Sequence, residues 1–362
     1  MIDPLQTQLC QMLEIEVPII AFTHCKDVAV AATNAGGFAV LGEAMHTVDE
    51  IAEDVGYIRE RVDGKPFGID LVFPAKAPPG GTPDELYAKI PQAQREFADR
   101  IKSDFDVPPP RNEVALRQWG GLNAQMARAQ IDALLDLRVP LIATGLGCPE
   151  FLFEAAHERD ILICGLVGTA KQARRQIERG ADAIVAQGYD AAGHTGAVGT
   201  FSAVPQIVSV AGDVPVIAAG GVAGGRHLAA ALCLGAVGVW VGTAWLASEE
   251  SDLDPILIER ILESTGDDTT RSRAISGKTM RVLDCPWTSE WERPEAPEFL
   301  GSPYQMLLTS NYLQGANDAR RPDLMTEAVG QGVALLRERR PTAEILTEMA
   351  AEARSTLQRL RG

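Results

Sequence analysis

The stretch Ala186 to Gly196 reads AQGYDAAGHTG and sets a histidine among small residues. An imidazole titrates near neutrality and can take or release a proton, while small residues let a ligand or another backbone come close. His194 is therefore the candidate catalytic group, with Gly193 beside it as wall that a ligand could touch. Two further glycine-bearing turns follow, Gly220-Gly221 in AAGGVAGGRH and Gly242-Thr243 in VWVGTAW. Backbone N–H groups in such turns, with a helix N-terminus behind them, suit an anion such as a phosphate. A second histidine, His24, stands next to Cys25 in AFTHCKD. Adjacent side chains at a strand end point in different directions, so these two suit the wall of a substrate pocket better than a nucleophile pair. His46, His157 and His227 have no comparable company, and the last two fall on helical pattern.

These groups can act together only if the chain brings them to one place. Short Val- and Ile-rich runs recur, each followed by helical periodicity, as strands buried on both faces of a parallel sheet require. Eight such runs can be counted, at 17–22, 37–42, 67–73, 140–147, 160–167, 182–188, 214–221 and 237–245. The intervening helices are expected over 27–35, 47–61, 121–137, 149–158, 169–179, 201–210 and 225–234, with a last one from Ser248 onward. Thr47 and Thr169 stand where N-caps belong. Eight βα units in succession imply an α/β fold of the (β/α)8 TIM barrel type, with an open doubly wound sheet as runner-up. The barrel would use 1–73 and 119–250, with an insertion at 74–118 after the third strand and a C-terminal helix and lid segment at 251–362. In a barrel, the histidine loop and both glycine turns follow strands six, seven and eight onto the face where active sites are built.

Composition narrows the partners. The formal charge is −16, with 49 acidic against 33 basic residues, which disfavours a phosphate-backbone surface and hence nucleic acid. The N-terminus lacks a signal-peptide pattern, and no apolar run approaches the roughly 20 residues that span a bilayer, so a soluble, cytoplasmic protein is expected, with no membrane partner. Six cysteines are scattered without a CxxC pair, which argues against zinc and against a disulfide framework. Asp70 and Asp190 lack the further acids that a metal or glycosidase site would need, so no metal is expected. AAGGVAGG is not a GxGxxG fingerprint, and Val241 stands where a dinucleotide site would need an acid. A mononucleotide fits better, and flavin mononucleotide (FMN) needs one anion pocket.

AQGYDAAGHTG, PVIAAGGVAGGRHLAAALCLGAVGVWVGTAWLAS and ATNAGGFAVLG together resemble the nitronate monooxygenase family. The resemblance implies an FMN-dependent barrel that oxidises alkyl nitronates, or nitroalkanes, with O2 to a carbonyl compound and nitrite. It places His194 as the catalytic base or hydrogen-bonding group, Gln187 and Gly188 along the flavin, and Gly220, Gly221 and Trp240, Val241, Gly242 and Thr243 around its phosphate. Asp70, in GID, stands where the family commonly has Asn, so an ionised carboxylate there would oppose negative charge on the flavin unless it keeps its proton. Two rival readings follow from the same motifs: an FMN-dependent NAD(P)H enoyl-thioester reductase of the same superfamily, and a non-catalytic flavin-binding barrel. The oligomeric state is left open, a homodimer included.

Overall fold

The structure, a computed structural model, describes residues 3–73, 82–111 and 124–361. Its strands are β1 (Ile19–Thr23), β2 (Phe38–Gly42), β3 (Gly68–Val72), β4 (Leu141–Gly145), β5 (Leu162–Val167), β6 (Ala183–Gln187), β7 (Gly193–His194), β8 (Val216–Ala219), β9 (Gly238–Val241), β10 (Thr269–Ser272) and β11 (Met280–Leu283). β1 to β6, β8 and β9 close into a parallel barrel, with Ile20 of β1 opposite Trp240 of β9. The eight strands expected from sequence are these eight, and the doubly wound alternative is excluded by closure.

The helices are α1 (Gln8–Leu13), α2 (Lys26–Asn34), α3 (Val48–Arg61), α4 (Pro83–Ala88), α5 (Gln92–Asp104), α6 (Ala124–Leu137), α7 (Glu150–His157), α8 (Ala170–Glu178), α9 (Thr200–Ala211), α10 (Gly225–Cys233), α11 (Pro255–Glu263), α12 (Pro286–Trp291), α13 (Tyr304–Asp318) and α14 (Thr342–Arg361). Thr47 caps α3 in a full capping box with Glu50, and the Thr169 side chain accepts from the Gln172 N–H at the start of α8. Both thus satisfy amides that the helix itself leaves unpaired.

Period-two alternation sorts each strand's side chains. Ile20, Phe38, Val40, Leu141, Ala143, Cys164, Ala183, Val185, Ile217, Ala219 and Trp240 fill the barrel, and Leu9, Cys10 and Leu13 of α1 pack with them. The alternate residues, such as Ile19, Leu41, Ile69, Leu71, Ile142 and Ile163, pack outward against the helices.

One expectation needs correction. The eighth barrel helix does not start near Ser248: after β9 the chain makes a 3-10 turn at Thr243–Trp245, is next helical only at Pro255–Glu263, and the place in the outer ring is taken by α14. Leu346, Met349, Ala350 and Ala353 of α14 are buried against α10 and α2, so this charged helix is only half solvated. The segment after Asp252, expected as a helix and lid, also contains strands: β10 and β11 form an antiparallel hairpin that pairs with β7.

The insertion holds α4 and α5, divided at Pro91; its parts at 74–81 and 112–118 lie outside the described residues. Leu86, Ile90, Phe97 and Ile101 share a second apolar core with Trp287, Trp291, Leu307 and Tyr312. Phe97 meets Trp291 edge-on at 4.8 Å, and the Trp287 and Tyr312 ring centroids lie 5.0 Å apart. The insertion and the segment between β9 and α14 are therefore one packed layer. Both leave the barrel from C-terminal strand ends.

Candidate active site

His194 is set by pairing rather than by the loop alone. β7 lies antiparallel to β11, with His194 opposite Met280 and Gly193 opposite Arg281. His194 Nε2 is 2.8 Å from Ser276 Oγ, in the hairpin turn. Burial, with the Lys278 ammonium nearby, pulls the imidazole down to about 4, so it stands neutral at physiological pH.

The rest of the loop is clamped from the same side. Arg281 is 2% exposed; its Nε and Nη2 donate to Tyr189 O at 3.4 and 3.2 Å, and Nη1 to Thr269 Oγ1 at 2.8 Å. Arg271 Nη2 donates to Gly196 O at 3.1 Å. Both guanidiniums lie over the Tyr189 ring, 4.2 and 4.8 Å from its centroid. Asp190 Oδ2 accepts from Thr200 N–H at 2.9 Å and so caps α9. Gln187 Nε2 reaches Ala192 O only at 3.5 Å, which leaves the amide weakly engaged.

A segment that sequence did not single out joins the three motifs. Gln331 N–H donates to Asp190 O at 3.0 Å, and Gly330 N–H to Thr243 Oγ1 at 2.9 Å. A side chain at Gly332 would come within 2.8 Å of Gly221 O. Residues 330–332 therefore tie the histidine loop, the Gly220-Gly221 turn and Thr243 into one surface. Their only sequence signal was a short GQG run.

Gly220 and Gly221 have φ of +107° and +72°, a region closed to most side chains. The VAGGRH part of the turn works differently from the expectation. Glu352 Oε2 of α14 accepts from Gly225 N–H at 2.8 Å and Arg226 N–H at 3.3 Å, so the α10 N-terminus is satisfied within the chain. A Cβ at Gly225 would meet Met349 O at 2.2 Å, so this glycine serves helix packing.

Inside the barrel, Asp70 shares a row with Ala143 and Cys164. It is 5% exposed, and its Oδ1 is buried without a partner. Desolvation pushes this carboxyl up to about 8, so it keeps its proton near neutral pH. Trp240 stacks on Phe22 at 5.5 Å, and Phe22 meets His24 edge-on at 5.2 Å. His24 Nδ1 is 2.9 Å from Gly42 O. Cys25 turns the other way: its thiol donates to Glu250 O at 3.1 Å, and burial pushes its pKa up. The pair is separated as strand alternation requires.

His46, read as lacking company, has it. Its Nδ1 is 2.5 Å from Glu43 Oε2 and 3.4 Å from Asp54 Oδ2, while Lys26 Nζ is 2.6 Å from Asp54 Oδ1. Two acids and two bases neutralise one another there, which leaves little call for a cation. His157 pairs with Asp182 at 3.0 Å, and His227 lies on α10.

The nitronate monooxygenase family profile matches residues 6–352. The chain belongs to the nitronate monooxygenase family of enzymes. It is 39% identical over 372 aligned positions, 99% of each chain, to a Mycobacterium tuberculosis protein described as a monooxygenase. It is 30% identical over 331 positions, 86% of this chain and 87% of the other, to a Staphylococcus aureus protein described as a nitronate monooxygenase. Among solved structures, nitroalkane oxidase from Streptomyces ansochromogenes matches with a TM-score of 0.80 at 26% identity, over 96% of this chain and 99% of that one. FabK from Thermotoga maritima matches with 0.75 at 27%, over 99% of each. No helix among the described residues is long and apolar enough to cross a membrane.

Membership in this family leaves the residues from 271 to 281 as the largest omission of the sequence reading. Ser276 and Arg281 reach partners 82 and 92 residues away, and only the alternation in TMRVLD hinted at a strand there.

Proposed function

We propose that this chain is an FMN-dependent oxidoreductase that converts alkyl nitronates, and the nitroalkanes from which they derive, with O2 to a carbonyl compound and nitrite. The observation that carries this reading is a neutral, hydrogen-bonded His194 on the same face as the Gly220-Gly221 and Thr243 turns, in a chain of this family. The likeness to a nitroalkane oxidase over 96% of the chain supports the substrate class.

The residues fit FMN. The orphaned Oδ1 of Asp70 offers a hydrogen-bonding group inside the barrel, and no atom lies within 4 Å of a Cβ built on Gly193. Gly220, Gly221, Gly242 and Thr243 would hold the phosphate, with Gln187, Gly188, Trp240 and Val241 along the remainder. When bound, the flavin supplies the one-electron chemistry toward nitronate and O2.

The chain's own contribution is acid–base and positional. His194 takes the α-proton of a neutral nitroalkane and, once protonated, offers that proton as a hydrogen bond to the nitronate just formed. Asp70 keeps its proton, so it can donate where a carboxylate would repel added charge. The layer formed by the insertion and the segment before α14 would act as the lid that limits water at the mouth.

FabK's similarity gives the enoyl-thioester reductase reading its standing. Anaerobic titration of the purified yellow protein separates the two. Bleaching by a nitronate and not by NADPH is expected; rapid bleaching by NADPH alone would overturn the assignment. Bound FMN with no turnover of either would favour the non-catalytic barrel.

A further inference from the structure

The Ser276 hydroxyl faces three polar atoms. His194 Nε2 is 2.8 Å away, Lys278 O 3.2 Å and Lys278 N 3.3 Å. A hydroxyl has one proton and two lone pairs. Lys278 N–H can only donate and Lys278 O can only accept. The one proton therefore goes to the carbonyl, and the second lone pair is left to a donor, which is His194 Nε2–H.

The hydroxyl cannot swing to another partner easily. Ser276 is buried in the turn between β10 and β11, and Gly277 beside it has φ of +78°, with Leu300 O 2.4 Å from where a Cβ would stand. Two residues earlier, Ala274 O accepts from Trp287 Nε1 at 3.0 Å and from Gln305 Nε2 and Thr309 Oγ1 at 2.8 Å each. The aromatic core thus fixes one end of the contact, and the β7–β11 pairing fixes the other. Among the described residues, His194 Nδ1 has no hydrogen-bond partner.

We propose that Ser276 is a positioning residue that keeps the His194 proton on Nε2, so that Nδ1 is the atom that receives the substrate's α-proton. This rests on His194 being the base of the reaction proposed above. In that step the C–H bond of the nitroalkane breaks and its electron pair becomes the C=N bond of the nitronate. The charge goes to the nitro oxygens, and the proton goes to Nδ1. Ser276 still accepts from Nε2–H in the resulting imidazolium, so nothing on that side has to rearrange. A preformed nitronate has already lost the proton and makes no use of the fixed tautomer.

The test is nitrogen NMR of the purified enzyme labelled with 15N-histidine, with His194→Asn identifying the His194 signals among the five histidines. A protonated Nε2 and a bare Nδ1 are expected in the wild-type protein and in Ser276→Thr, with a mixture of tautomers in Ser276→Ala. In kinetics, Ser276→Ala should lower kcat/KM for a neutral nitroalkane by about tenfold or more and leave that for the nitronate within about twofold, with Thr restoring it. A protonated Nδ1 in the wild-type protein, or an equal effect of Ser276→Ala on both substrates, would overturn the proposal. If His194→Asn costs nothing on the nitroalkane, the role of His194 as base fails, and the NMR result still decides the tautomer.

Discussion

The barrel wall and the segment between β9 and α14 both reach the mouth, and they are built on opposite rules. In the wall, side chains are placed by strand alternation, so Asp70, Trp240 and Gln187 face inward because of where they fall in a two-residue repeat. In the segment, Ser276, Arg281 and Gly330 are placed by contacts to loops far away in the chain. In the function proposed above, the wall would supply the cofactor's cradle, and the segment would supply aim, since it holds the histidine that the wall's sixth loop carries. A barrel can thus keep one cofactor site while the incoming segment resets the chemistry beside it.

The sharpest way to break this division is His194→Asn. Nitroalkane turnover should fall about 100-fold or more while flavin absorbance per mole of protein stays unchanged. In the wild-type enzyme, with the imidazole held down near 4, kcat/KM on a nitroalkane should show no histidine-dependent loss between pH 7 and 5. Unchanged turnover in the variant would remove aim from the account.

Next comes Arg281→Met, which leaves Tyr189 O and Thr269 Oγ1 without their buried donor. A loss of about 3 kcal/mol in denaturant unfolding is expected, with nitroalkane turnover falling more than flavin content. A variant that loses only flavin would place Arg281 with the cradle.

Two glycines then sharpen the cradle itself. Gly225→Ala should cost about 1–3 kcal/mol through its clash with α14 and spare FMN affinity. Gly221→Ala, strained at φ of +72°, should weaken FMN retention measured by dialysis.

The smallest effect is expected from Asp70→Asn, read in the apoprotein. The folded carboxyl titrates near 8 and the unfolded one near 3.8, so the folded state holds a proton that the unfolded state has lost. Its stability contribution is therefore full below pH 4 and declines as pH rises toward 8. Asn should flatten that decline, so that the melting temperature of the variant falls less than that of the wild type between pH 5 and pH 8 in thermal melts.

Sequence made the barrel legible because each βα unit is local. Val- and Ile-rich runs mark strands buried on both faces, and Thr47 and Thr169 sit three residues before the amides they cap. His194 was visible by its setting, and the glycine turns by their spacing. α14's place in the ring was hidden, because its partners α2 and α10 come from earlier units and its charges suggested solvent. Ser276 was hidden for the same reason: a serine acquires meaning only when pairing brings its hydroxyl to an imidazole 82 residues away. In AGGRH the spacing was legible and the purpose was not, since a helix packed on Gly225 leaves no mark in the neighbouring residues.

Because α14 completes the ring, the segment above the mouth is a loop held at both ends by the barrel and not a free tail. Arg354 of α14 also binds the Asp3 carboxylate, with Nη2 to Oδ2 at 2.9 Å, so the last helix is fastened to the start of the chain. A truncation before Thr342 would therefore open the barrel wall rather than remove a cover. The cover has to be shortened from within, between β9 and α14, if the cylinder beneath it is to stay closed.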